Sequence, residues 1–339
     1  MMKAVGYQHS LPISDPQSLQ DISLPVPKAT GRDLLVEVRA ISVNPVDTKV
    51  RSRSVPAVGQ WKVLGWDAVG IVREVGPEVT EFAVGDRVWY AGDISRPGSN
   101  AQYQLVDERI VGRAPCNLSD AEAAALPLTA ITAWELLFDR LQVEVGKEDK
   151  SKSVLVIGAA GGVGSILVQL ARRLTNLRVI GTASRPETKA WLEQLGAHHV
   201  INHCNPLSEA LAGAGFGEID YVVSLTNTED HQAEIVKSIK PQGKFALIDD
   251  PPSLDVSALK QKSISLHWEF MFTRSLFETE DMRAQNQLLS ELAGLIDSGL
   301  IKTTLGQFFG KINAENLRKA HAMVESKATK GKIVLEGFE

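Results

Sequence analysis

The feature that most restricts what this chain can become is a strand, a glycine loop and a helix in immediate succession near its middle. Residues 154–157 (Val-Leu-Val-Ile) are short, mostly β-branched and wholly apolar, the pattern of a strand covered on both faces. Gly158-Ala159-Ala160-Gly161-Gly162-Val163-Gly164 follows at once. Val163, Ile166, Leu167, Leu170, Ala171 and Leu174 then recur at helical spacing, an amphipathic helix. Glycines at such a junction let backbone N–H groups come close to a pyrophosphate, and the helix N-terminus adds about half a positive charge facing it. The strand and helix on either side separate a dinucleotide loop from a glycine-rich turn with no ligand. Counted from Ala159 the spacing is A-x-G-x-x-G, with a small residue where the usual fingerprint has its first glycine. Ala160, Gly161, Gly162, Val163 and Gly164 are the expected contacts.

The same alternation continues down the chain. Residues 178–182 form the next strand and 187–195 a helix that Gly196 closes, and 220–224 and 245–248 supply two more strands, the last after a Lys240-Pro241-Gln242-Gly243 turn. Repeated β-α-β units of this kind predict a doubly wound parallel sheet and an α/β fold class. The first third reads differently. Residues 35–40 alternate apolar and polar, and 69–75 and 86–90 follow between glycine-containing turns, so short strands predominate. Near 119 the texture turns helical with the capping box Ser119-Asp120-Ala121-Glu122. Leu288, Leu289, Leu292, Leu295 and Ile296 mark a late amphipathic helix, and 332–335 a final strand.

The end of the second strand selects the dinucleotide. NAD-binding chains place Asp or Glu about 20 residues beyond the glycines, accepting from the ribose 2′-hydroxyl. Here Gly181-Thr182-Ala183-Ser184-Arg185 carries no carboxylate before Glu187, while Ser184, Arg185 and Lys189 converge where a 2′-phosphate would lie. A guanidinium fork and an ammonium suit that dianion, so NADP is the expected cofactor. Ser184-x-x-Glu187 is also a capping box, with Pro186 in the first turn; the bland alternative makes Ser184 a helix cap and the bases surface charges.

At 339 residues the chain suits two domains. A net charge of −5 offers no general attraction to nucleic acid or anionic membrane. Strongly apolar runs such as 154–160 fall short of the roughly 18–20 residues that span a bilayer. Residues 1–7 lack a signal-peptide core, and Cys116 and Cys204 make no CxxC pair or disulfide framework. These features predict a cytoplasmic protein acting on a small molecule, without nucleic-acid or membrane partners.

Taken in order, Val43-Asn44-Pro45-Val46-Asp47, Leu64-Gly65-Trp66-Asp67-Ala68-Val69-Gly70, Val84-Gly85-Asp86-Arg87-Val88, the run 126–133, the glycine loop and Leu195-Gly196-Ala197 resemble the medium-chain dehydrogenase/reductase superfamily. The likeness is to its quinone-oxidoreductase (zeta-crystallin-like) branch, and within it to the zinc-type alcohol dehydrogenase-like subgroup. The resemblance implies a GroES-like catalytic domain, 1–125 and 270–339, with a Rossmann domain, 126–269, inserted in it and an active site in the cleft between them. It implies a homodimer or homotetramer, with 263–268 as the edge strand available for pairing. It also implies that Thr129 and Thr132 open a helix against the nicotinamide, that Phe270 and Phe272 form its other wall, that Lys332 reaches the pyrophosphate, and that His203 touches the adenosine phosphate.

Zinc-dependent relatives bind their catalytic metal through an early Cys, the His of Gly-His-Glu and a later Cys. Here Asn44 and Trp66 stand at the first two positions, Asp67 stands for the Glu, and 126–129 offers no Cys, His or carboxylate. A four-coordinate site needs three protein ligands, so no metal is expected. Without that Lewis acid, alcohol oxidation loses its main electrostatic help, whereas reduction of a quinone or enone asks mainly for placement and hydrogen-bond donors. Asn44 as amide donor, Trp66 as apolar wall and Tyr90 as a wall with a proton are the expected pocket residues, while Asp47 and Asp67 hold hydrogen bonds within the fold. The rival readings are a zinc-dependent alcohol dehydrogenase and a non-catalytic NADPH-binding sensor. Substrate choice falls to loops such as 51–61 and 93–100.

Overall fold

The computed structural model describes residues 1–146 and 152–338. The chain divides into two compact units, Met1–Ile131 with Phe272–Glu339, and Thr132–Met271. The breaks fall at 131/132 and 271/272, slightly later along the chain than the 125/126 and 269/270 expected.

The second unit is built on six parallel strands. Across the sheet they run His199–Ile201, Arg178–Thr182, Ser153–Ile157, Ile219–Ser224, Ile239–Leu247 and Ser265–Trp268. Numbered along this unit the order is 3-2-1-4-5-6, the Rossmann order, whose reversal point lies outside the C-terminal end of the first strand. Every residue of Ser153–Ile157 is buried, as its unbroken apolar run requires. Helix Gly162–Leu174 turns Ile166, Leu167, Leu170 and Ala171 inward. Helix Pro186–Leu195 ends at Gly196, whose φ of 105° only glycine adopts readily. The expected turn at 240–243 is instead part of a nine-residue strand; Gln242 takes φ 63° and the pairing register slips between Ile219 and Tyr221, so the irregularity is absorbed without a break. Apolar side chains from Leu155, Ile180, Val222 and Phe245 meet in one core.

The first unit has a seven-stranded sheet centred on the long strand Asp33–Val43, which pairs with Ala68–Val75, Tyr103–Asp107 and Lys332–Glu336. Met2–Tyr7, Gln20–Leu24 and Lys62–Val63 form a small separate sheet. Because Ile333 lies opposite Val43 in antiparallel register, Lys332 arrives beside Asn44 although 288 positions separate them.

One stretch, Asp120–Arg140, is long and apolar enough by length and composition to cross a membrane, contrary to the expectation that no segment would be. In the fold 83% of its most apolar window is buried, the surroundings of a core helix. Its backbone also changes character, from helix Pro127–Trp134 to a π-helical segment over Glu135–Arg140.

Candidate active site

In the first unit, helix Pro45–Arg53 begins directly after the long central strand. Asn44 is its N-cap, Pro45 opens the first turn, and Asp47 accepts the Asn44 backbone N–H at 2.7 Å. The Asn44-Pro45 pair is thus a helix start. Around it four polar side chains interlock. Asp67 Oδ2 accepts from Ser42 Oγ at 2.6 Å, from Asn44 Nδ2 at 3.2 Å and from Lys332 Nζ at 3.0 Å, while Leu128 N donates to Asp67 Oδ1 at 3.1 Å. Lys332 Nζ also donates to Asn44 Oδ1. Asn44, Asp67 and Lys332 are at most 4% exposed. A buried carboxylate survives only with such compensation. Asp47 has less of it: burial pushes its carboxyl up to about 7, against the pull of the Asn44 N–H and the Lys332 charge.

Lys332, expected to reach the pyrophosphate, has its ammonium engaged inside the first unit, where two strong acceptors meet it. Asn44 is correspondingly committed: one amide N–H goes to Asp67 and its carbonyl to Lys332, leaving the second N–H with no hydrogen bond among the described residues.

Trp66 and Tyr90 are fully buried. They flank Gly92, where an added Cβ would lie 3.9 Å from the Tyr90 ring and 4.0 Å from the Trp66 ring. Trp66 Nε1 donates to Asp93 O at 3.1 Å, tying the 93–100 loop to that wall, and Phe272 meets Trp66 edge-on at 6.1 Å. Phe272, expected as a cofactor wall, is therefore buried against Trp66, whereas Phe270 is 47% exposed. The Tyr90 hydroxyl is buried with no hydrogen-bond partner among the described residues, and burial pushes the phenol far above its ordinary range, so it holds its proton tightly.

In the second unit the glycine loop has the form its sequence implies. Gly158 adopts φ 77°, Gly161 N donates to Gly158 O at 3.2 Å, and Gly161 caps helix Gly162–Leu174 with no side-chain hydrogen bond. A Cβ on Gly164 would lie 2.3 Å from Ala159 O, so only glycine allows the helix to pack this closely on the loop. Ala160, Gly161, Gly162 and Val163 are partly exposed beside an N-terminus that no side chain caps. That is a fitting place for a pyrophosphate. Thr132 is buried in helix Pro127–Trp134.

Ser184, Arg185 and Lys189 are all exposed, at the end of strand Arg178–Thr182 and in the first turn of the following helix. The N-cap of that helix is Arg185, not Ser184, which corrects the capping-box reading; Glu187 instead faces Arg185, with Nε–Oε1 3.2 Å. The Ser184 hydroxyl is thus not assigned to the cap. Lys189 lies 3.9 Å from Glu193. His203 follows strand His199–Ile201 and faces the His231 ring at 6.3 Å; partial burial and that neighbour hold its imidazole below the ordinary range.

A family profile described as a zinc-binding dehydrogenase matches residues 195–335, and one described as an alcohol dehydrogenase GroES-like domain matches 30–116. A zinc-type alcohol dehydrogenase-like protein of Staphylococcus aureus (strain MSSA476) is 41% identical over 336 residues, covering 98% of this chain and 99% of that protein. This chain is a medium-chain dehydrogenase/reductase of the zinc-type alcohol dehydrogenase-like subgroup. The quinone oxidoreductase of Rattus norvegicus is 29% identical over 325 residues, covering 93% of this chain and 92% of its own. A crystal structure from Rhizobium etli CFN 42, provisionally assigned as a zinc-dependent alcohol dehydrogenase, superposes with a TM-score of 0.96 at 55% identity, covering 100% of this chain and 98% of that one. As a medium-chain dehydrogenase/reductase, the protein is an oxidoreductase that binds a nicotinamide cofactor, and its glycine loop fits one.

The residues do not fit the zinc of the family name. Asn44 and Trp66 bring no thiolate or imidazole, Asp67 is occupied by four donors, and among the described residues no three of His, Cys, Asp or Glu are grouped to hold a metal. Cys116 and Cys204 are both exposed thiols. Ser42 and the Glu135–Glu269 carboxyl pair of the second unit stand outside the expected residues. Glu135 within an apolar helix, and Glu269 between Trp268 and Phe270, were the available signals.

Proposed function

We propose that this protein is a zinc-independent, NADPH-dependent oxidoreductase that reduces quinones or enones, small carbonyl-conjugated molecules. The observation that carries this reading is the Lys332 ammonium hydrogen-bonded to Asn44 and Asp67. A fixed cation there repels a second one and occupies the oxygens a metal would need. When bound, the reduced nicotinamide supplies hydride to a carbon that conjugation has already made electrophilic. The remaining N–H of Asn44 is the donor for negative charge developing on the conjugated oxygen, and Trp66 and Tyr90 supply the apolar wall.

Preference for NADPH is supported by the chain between Gly164 and Glu187, which has no carboxylate to accept from a ribose 2′-hydroxyl. Ser184, Arg185 and Lys189 offer an exposed hydroxyl and two cations in one turn. We also read the protein as a cytoplasmic homodimer or homotetramer acting on a small molecule, with no nucleic-acid or membrane partner. The net charge of −5 and the outermost strand Ser265–Trp268, which has a neighbour on one side only, support that reading.

The test is a panel of quinones and enones assayed with NADPH and with NADH, on protein purified without added metal and submitted to elemental analysis. Turnover with NADPH and no stoichiometric zinc is expected. Near-stoichiometric zinc, removed together with activity, would overturn the metal-free chemistry. Tight NADPH binding with no turnover on any acceptor would make the protein a sensor.

A further inference from the structure

We propose that Lys332 and Asp67 are positioning residues that fix the orientation of the Asn44 amide and aim its second N–H. This inference rests on the donor role for Asn44 given above. An asparagine amide has two ends of nearly equal shape, and only its hydrogen-bond partners decide which way it points. Here both ends are specified. The Lys332 ammonium, which has donors and no acceptor, faces Asn44 Oδ1; the Asp67 carboxylate, which has acceptors and no donor, faces Asn44 Nδ2 at 3.2 Å. The reversed amide would set N–H against the ammonium and a carbonyl oxygen against the carboxylate. The ammonium and carboxylate are themselves joined at 3.0 Å, and Asp67 is anchored by Ser42 Oγ and by the Leu128 backbone.

A cation on the carbonyl end also draws electron density from the nitrogen, so the unused N–H becomes a better donor. Burial keeps water from replacing either partner. Strand pairing sets the geometry: Ile333 opposite Val43 holds Lys332 against Asn44, so the ammonium does not depend on a flexible loop. Lys332 thus acts on the acceptor's oxygen only through Asn44, and not on the cofactor.

The experiment is a double-mutant cycle on the full-length protein, with Lys332→Met, Asn44→Ala and their combination, and with Asp67→Asn/Lys332→Met as the charge-neutral version in case Lys332→Met alone does not fold. Three readouts are taken: NADPH Kd from fluorescence quenching, kcat and KM for the best quinone or enone, and the side-chain amide resonances of Asn44 assigned against Asn44→Asp. Removing one oxyanion donor typically lowers kcat about 100- to 1,000-fold. Lys332→Met and Asn44→Ala are each expected to lower kcat by at least about tenfold with NADPH Kd within about twofold of wild type, and the combined variant to lose no more than the worse single one. The Asn44 amide resonances are expected to shift or broaden in Lys332→Met. A rise in NADPH Kd of tenfold or more in Lys332→Met, or losses that multiply in the combined variant, would overturn the inference. Should the wild type turn over no acceptor, the proposed function fails on its own; unchanged Asn44 resonances in Lys332→Met would then overturn the positioning claim, and shifted ones uphold it.

Discussion

Arg140 Nε donates to Glu269 Oε2 at 2.7 Å, and that guanidinium serves a carboxyl which also faces the buried Glu135. Burial first, and then the charge and hydrogen bond of Glu135, hold the Glu269 carboxyl far above the usual carboxylate range; Arg140 opposes this only in part. The folded second unit therefore keeps a proton here that the unfolded chain releases near the ordinary glutamate value.

A group protonated when folded and ionised when unfolded makes stability fall as pH rises above that ordinary value. Glu269→Gln keeps an acceptor for Arg140 and supplies a donor for Glu135 without the titration. Its melting temperature relative to wild type is expected to climb between pH 6 and pH 9, by about 2 °C or more at the upper end. A melting-temperature difference that is the same at both pH values would mean that Glu269 does not keep this proton.

His321 is the opposite case. It is fully buried with neither ring nitrogen hydrogen-bonded among the described residues, and burial together with the Arg51 charge holds its imidazole down at about 3. Unfolding frees it to take a proton below about pH 6.5, so stability is lost as pH falls from there toward 3. His321→Leu is expected to gain on wild type progressively between pH 7 and pH 4.5 in denaturant titrations. A stability difference independent of pH would contradict this.

The exposed bases at the start of helix Pro186–Leu195 give the cofactor prediction. Arg185→Asp with Lys189→Ala is expected to weaken NADPH binding by on the order of 100-fold or more, since each of the two charge-assisted hydrogen bonds it removes contributes about 1.5–3 kcal/mol. NADH binding is expected to hold or improve. NADPH affinity equal to wild type would move the phosphate site elsewhere.

Gly164→Ala tests the loop. A methyl group 2.3 Å from Ala159 O forces the helix away from the glycine turn. Loss of cofactor binding, with a melting temperature lowered by several degrees, is the expected outcome. Wild-type affinity would mean that the helix need not approach so closely.

Much of the second unit was legible because its signals are local. The buried run in Ser153–Ile157, the apolar stripe of Gly162–Leu174 and the glycine that ends Pro186–Leu195 each lie within a few residues of the structure they specify. Met2–Tyr7 and Gln20–Leu24 were not, since their pairing is with each other across a loop, the first does not alternate and the second alternates over only five residues. Helix Ala314–Glu325 buries the small Ala314 and Ala320 and the polar His321 beside Leu317, which blurs its stripe. At the site, Asn44, Trp66 and Tyr90 are visible as residue types, but the partner of Lys332 is chosen by strand register, and no local pattern encodes that.

That register also bears on how the molecule is made. Strand Lys332–Glu336 completes the sheet begun by Asp33–Val43, so the first unit cannot close until residue 336 has left the ribosome, while all six parallel strands of the second have already emerged. The intervening unit is free to fold first and shortens the effective separation between the two late-meeting strands, and until they meet the Asp33–Val43 strand is left without one of its neighbours.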